Sequence, residues 1–129
     1  MGKSERDKGA RFERAVLHKL SNLFQIPLIR GNQKMGAYQP DIVCPTYWIE
    51  ATHSKAPRIG SKIEQATRDL TQCDPEHREK IPLIISRKDH QKVWVTMPFS
   101  HFEELFKKAN GWDEQLTPTV DEEQHTKQT

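Results

Sequence analysis

One acid in an apolar strand constrains this chain more than any other feature. In QPDIVCPTYWIEATHSK, residues 39–55, Glu50 stands between Ile49 and Ala51 in an apolar, aromatic run. A carboxylate at such a position requires a partner or an opening beside it. Asp41 begins the preceding β-type run, and Pro45–Thr46 forms the tight connection between the two. If the runs pair as a hairpin about that connection, the two acids come near the same end of a sheet. Alternation puts Trp48, Glu50 and Thr52 on one face and Ile49, Ala51 and His53 on the other. A hard divalent cation such as magnesium takes oxygen ligands and keeps several waters, so two or three converging carboxylates suffice to hold one.

The rest of the chain supplies further strands and the helices to cover them. Residues 1–10 are polar and read as frayed, after which Phe12, Ala15, Val16, Leu20, Leu23 and Phe24 recur at helical spacing as far as Gln25. IPLIR (26–30) is a short β-type run and GNQKMGAYQ (31–39) a mobile turn. SKAPRIG reads as a basic loop, and Ser61 followed by Glu64 is a capping box that opens a helix with Ile63, Ala66 and Leu70 as its buried stripe. CDPEHREKIP ends that helix. IPLIIS (81–86) and KVWVTM (92–97) are strands of a hairpin turned by RKDHQ. Pro98 and Ser100 introduce a last helix whose Phe102, Leu105 and Phe106 are expected to face inward. The order α-β-β-β-α-β-β-α implies an α/β (α+β) fold, a mixed sheet with helices packed on it.

Length and charge bound the functional classes. The 129 residues suffice for one core, expected within residues 1–112, with residues 113–129 a disordered acidic tail. The formal charge of +2 divides unevenly: Asp113, Glu114, Asp121, Glu122 and Glu123 against Lys127 leave −4 on the tail and +6 on the body. A basic body with an acidic tail suits a polyanion binder, and equally a merely solvated surface. The N-terminal stretch has no apolar signal core, no run approaches a membrane span, and Gly2 lacks a myristoylation context, so a cytoplasmic protein is expected. Cys44 and Cys73 read as reduced thiols. The six histidines show no HxxxH pair, which gives zinc little support.

Taken together, KGARFERAV, PDIV, WIEATHSK, IEQATRDL, PLIISRK and VTMPFSHFEEL resemble, in order and spacing, the PD-(D/E)xK nucleases, and among them the Holliday-junction resolvases of phage and archaeal type. The resemblance implies a restriction-endonuclease-like core and a homodimer acting on branched DNA with Mg²⁺ or Mn²⁺, in a host cytoplasm if phage-encoded. It implies Asp41, Glu50 and the Ala51 carbonyl as metal ligands, Glu13 as the acid of the first helix and a further metal ligand, and Gln65 as the helix glutamine beside the site.

At position 52 the motif has lysine, and this chain has Thr52. A hydroxyl supplies no positive charge. Either another cation substitutes, or the site binds DNA and metal but cuts poorly. Lys62, three residues before Gln65 and on the same helical face, ranks above Lys55 in the loop, and both rank above His53 on the opposite face. Phosphate contacts are expected from Lys3, Arg6, Lys8, Arg11 and Arg14, from Lys34, and from Lys55, Arg58 and Lys62.

Each residue also has a plainer reading. Glu13 pairs with Arg14 or a neighbouring turn, Asp41 is a turn acid after proline, and Gln65 faces water. Trp48 and Trp94 read as core or interface rather than base-stacking platforms. A catalytically weakened DNA-binding protein and a non-enzymatic interaction protein are the rival functions.

Overall fold

A computed structural model describes residues 3–31, 39–72 and 78–111. Lys34, Cys73, Trp112 and the tail 113–129 lie outside the described residues. The elements are α1 (Lys3–Phe24), β1 (Ile29–Arg30), β2 (Ile42–Val43), β3 (Tyr47–Ser54), α2 (Ile59–Gln72), β4 (Ile81–Lys88), β5 (Val93–Thr96) and α3 (Phe99–Asn110). They fall into two compact units, Met1–Thr96 and Met97–Thr129.

The first unit is a five-stranded mixed sheet, ordered β1-β2-β3-β4-β5, with helices on both faces. All neighbours are antiparallel except β3 and β4. A parallel pair needs a crossover, and α2 provides it. The β2–β3 register pairs Ile42 with Ile49 and Val43 with Trp48, which centres the hairpin on the Pro45–Thr46 bond.

Side-chain alternation along β3 assigns one helix to each face. Tyr47 stacks on Phe24 at 5.8 Å between centroids, and His53 meets Phe12 edge-on at 5.5 Å, so α1 runs antiparallel across the odd-numbered face. Phe12 and Val16, one turn apart, are its buried contacts. On the even-numbered face, Trp48 and Ile84 form a buried cluster with Ala66 and Leu70 of α2. Trp48 is 1% exposed and is a core residue, as its apolar strand led us to expect.

Several boundaries differ from the sequence expectation. Helix α1 starts at Lys3 rather than near Ala10, because Lys8 pairs with Glu5 at 3.2 Å and with Asp89 at 2.9 Å and so ties down the first turns. Helix α2 starts at Ile59: the Lys62 N–H already bonds to the Arg58 carbonyl at 3.0 Å, so Ser61 lies inside the helix and is no N-cap. Of IPLIR only Ile29 and Arg30 are strand. Leu23, read as part of the apolar stripe, is 69% exposed. Among the described residues no helix is long and apolar enough to cross a membrane.

Gly31 closes the β1 end of the sheet. Its N–H bonds to the Asp41 carbonyl at 2.9 Å, and a Cβ there would overlap the Pro40 carbonyl oxygen. Only glycine permits so close a backbone approach.

In the second unit α3 ends at Gly111, whose left-handed conformation (φ 66°) lets its N–H reach the Lys107 and Lys108 carbonyls. Phe102, Leu105 and Phe106 do not face inward but are exposed. Phe102 instead meets Phe99 at 6.1 Å and Phe106 at 5.8 Å along the surface of the helix itself.

A candidate metal and phosphate site

The β2–β3 register decides where the acids stand. Continuing the pairing of Ile42 with Ile49 by one step sets Asp41 opposite Glu50. Opposed residues of antiparallel strands lie within about 5.5 Å, so the two carboxyl groups meet. Asp41 is held in place by the Ala51 N–H, which donates to its Oδ2 at 2.9 Å. Glu50 is 2% exposed and accepts a bond from the Trp48 indole N–H at 3.3 Å. The two acids thus stand across from each other on paired chain segments, as a hairpin about Pro45–Thr46 requires.

The electrostatics of the pair follow from that geometry. Burial pushes the Glu50 carboxyl up to about 8, and the charge of Asp41 and a hydrogen bond with it push in the same direction. Glu50 therefore keeps a proton at neutral pH. Glu13, on α1, is also raised, first by burial and then by Asp41, while its bond with Arg30 opposes the shift. Lys62 lowers both Glu13 and Glu50, and so lies within electrostatic reach of each.

Chain direction explains how Lys62 gets there. Helix α2 leaves the C-terminal end of β3 and returns to the start of β4, which lies beside Tyr47. Leu70 and Ala66 rest over Trp48 and Ile84, and Lys62 extends that stripe by one turn, to above the C-terminal half of β3. Thr52 is on this face of the strand, beside Ser86 of β4. The helix thus brings a cation within electrostatic reach of Glu13 and Glu50.

Other sequence candidates are distributed differently. Glu13 lies within electrostatic reach of Asp41, and its Oε1 is paired with Arg30 Nη2 at 2.9 Å. Among the described residues, no three His, Cys, Asp or Glu side chains gather as a metal cage. Gln65 is exposed on the flank of α2, and Ala66 is the residue that meets the sheet. Arg11, Arg14, Lys55 and Arg58 are exposed. Lys8 is committed to Asp89 and Glu5. His53 lies on the α1 face with Nε2 at 3.1 Å from Asp89.

Sequence reasoning missed Trp48 as a donor to Glu50, although i and i+2 on one strand face announce that contact. It also missed Arg30 as the partner of Glu13 and Asp89 as the anchor of Lys8. Nothing local signals these two, which are separated by 17 and 81 residues.

Asp41 and Glu50 offer oxygen atoms, the ligand type that a hard divalent cation takes. Two carboxyl groups face each other across a strand pair, and burial together with the charge of Asp41 disfavours the Glu50 anion; a cation held between them would favour the ionised form. No protein-family profile matches the chain, and searches of curated proteins and of solved structures return no match.

Proposed function

We propose that the chain is a metal-dependent endonuclease with a restriction-endonuclease-like core, hydrolysing phosphodiester bonds in DNA, with branched DNA such as four-way junctions as its substrate and a homodimer as its working form. The observation that carries this reading is the Asp41–Glu50 pair, two acids opposed in an otherwise apolar sheet with a lysine brought in from the overlying helix. Asp41, Glu50 and the Ala51 carbonyl would hold Mg²⁺ or Mn²⁺. Bound there, the ion supplies positive charge beside the phosphodiester.

The chain's own groups do the rest. The Ala51 N–H fixes the direction of Asp41, and the Trp48 indole fixes that of Glu50. Lys62 takes the part of the motif lysine: its ammonium holds a phosphate oxygen and offsets charge that builds up during attack. Glu13 and Arg30 neutralise each other at the rim, so Lys62 supplies the cation between the acids and an incoming strand. Arg11, Arg14, Lys55 and Arg58 contribute phosphate contacts that carry no base information.

A second reading rests on Thr52 itself. If Lys62 cannot reach the scissile phosphate, the protein binds DNA and metal without efficient cutting. The test is to incubate labelled junction, duplex and single-stranded DNA with the protein, with and without Mg²⁺ or Mn²⁺, beside Asp41→Ala and Thr52→Lys. Metal-dependent cutting lost in Asp41→Ala supports the enzyme. Binding without cutting, converted to cutting by Thr52→Lys, supports the weakened nuclease. Absence of DNA binding at low salt defeats both.

A further inference from the structure

The second indole of the sheet, read from its apolar strand as core or interface, is not in the core. Trp94, on edge strand β5, is neither core nor covered: 64% of its surface is exposed. Its position is set by register. Trp94 pairs with Ser86 of β4, and Ser86 pairs with Thr52 of β3, so the three side chains lie in one row on the sheet face that carries Glu50. Two strand spacings separate Trp94 from Thr52, about 10 Å.

Trp94 also lines a surface recess of about 540 Å³ with His90, Gln91 and Lys92. His90 sits at the tip of the β4–β5 turn in a left-handed conformation (φ 63°). The acid of that turn, Asp89, is taken up by Lys8 and His53, which leaves the cationic Lys92 beside the indole. A flat π face next to a cation suits a group that combines an aromatic ring with a phosphate. Continuous duplex offers no such ring, since its bases are stacked on one another.

We infer that Trp94, with Lys92 and His90, is a stacking site for an unpaired nucleobase of the DNA strand bound at the Asp41–Glu50 site. The inference rests on the nuclease reading and sharpens it: the substrate is DNA with bases already unstacked beside the cut, as at a branch point or a gap. The base stacks on the indole and the adjoining phosphate meets Lys92.

Trp94→Ala, Trp94→Phe and the unchanged protein are compared by fluorescence anisotropy on two labelled DNAs of equal length, a fully paired duplex and a duplex interrupted by a short single-stranded gap. Base–aromatic stacking is lost in the alanine variant, so gapped DNA binds roughly tenfold or more weaker while the paired duplex is unaffected. Trp94→Phe keeps most of the binding. Abasic nucleotides scanned through the gap reach one position where the unchanged protein and the alanine variant bind alike. Equal loss on both DNAs, no loss on either, or a loss that tracks dissociation of a dimer in sedimentation overturns the stacking site. If the unchanged protein binds and cuts but the alanine variant behaves identically, only the stacking site falls; if no DNA is bound at all, the nuclease reading falls with it.

Discussion

Two acid-bearing clusters in one sheet are treated in opposite ways. At the end of β4, Asp89 accepts bonds from Lys8 at 2.9 Å on both oxygens and lies 3.1 Å from the His53 imidazole, so the carboxylate is matched by the Lys8 ammonium and has a polar ring beside it. Across β2 and β3, Asp41 faces another acid, and Glu50 is driven up to about 8 by burial and by that neighbour. The first arrangement ties a helix, a strand end and a turn together. The second works against folding, and perturbed acids of this kind concentrate where proteins act on ligands. The partner an acid is given, more than its burial, separates a fastener from a site.

The largest effect is expected from removing one side of the opposed pair. Asp41→Asn keeps an oxygen that can accept the Ala51 N–H but removes the charge facing Glu50. Metal-dependent cleavage should fall by more than about 10³, beyond the usual loss for one charge-stabilising group. Thermal stability at pH 8 should hold or rise, since a like-charge repulsion has gone. Cleavage assays and melts on the same preparation check both halves. A variant that loses stability along with cutting would show the pair to be structural.

Next is the cation. Lys62→Ala should cost about 10²–10³ in cleavage rate at saturating DNA, and far less in DNA affinity. Placing the charge on the strand instead, Thr52→Lys in the Lys62→Ala background, should restore most of the rate if the two positions address one phosphate. Restoration by Thr52→Lys only when Lys62 is intact would assign the two lysines different tasks.

The residues at stake in these variants differ in how plainly the amino-acid sequence announces them. The hairpin about Pro45–Thr46, the opposed acids and the element order are legible there because alternation and turn chemistry act over a few residues. Lys62 is legible as a rival to Lys55 through its helical spacing from Gln65, although it is Ala66 that meets the sheet. The start of α1 is not, because its first turns are held by Asp89, a contact that no local pattern encodes. Trp94 misleads for a related reason: VWVT has the composition of a core strand, and only the strand order shows that β5 is an edge. The phenylalanines of α3 mislead likewise, since periodicity identifies an apolar stripe without fixing how far it is buried, and Phe102 and Phe106 are exposed.

The two clusters should also separate by pH. Folded Glu50 keeps a proton up to about 8 that the unfolded chain, at its ordinary value of 4.5, has already released. Both states hold it below about 4.5, so stability is unaffected there; across the window up to about 8, stability falls as pH rises, by at most about 1.4 kcal/mol per unit. The other cluster slopes the opposite way. The Lys8 hydrogen bond holds Asp89 below 3.8, and burial holds His53 below 6.5, so both contribute stability at higher pH that is lost as pH falls through their folded values. Urea unfolding of the unchanged protein and Glu50→Gln, in steps from about pH 5 to pH 9, isolates the first slope, which the variant should lack. Parallel curves would mean that Glu50 is ionised in the folded state.

The smallest effect is expected from the matched cluster. Asp89→Asn retains the shape of the turn but removes the charge that Lys8 and His53 share. Partly exposed pairs contribute little to stability, so the melting temperature should drop by a few degrees at most, and by less at high salt, where the original attraction is already screened. Cleavage should stay within about twofold, because Asp89 and His53 lie on the α1 side of the sheet, away from Glu50 and Thr52. Melts at low and high salt beside a cleavage assay make the comparison. An unchanged melting temperature with cutting abolished would reverse the assignment and move the chemistry to the Asp89–His53 pair, with the opposed acids left as a strained piece of the fold.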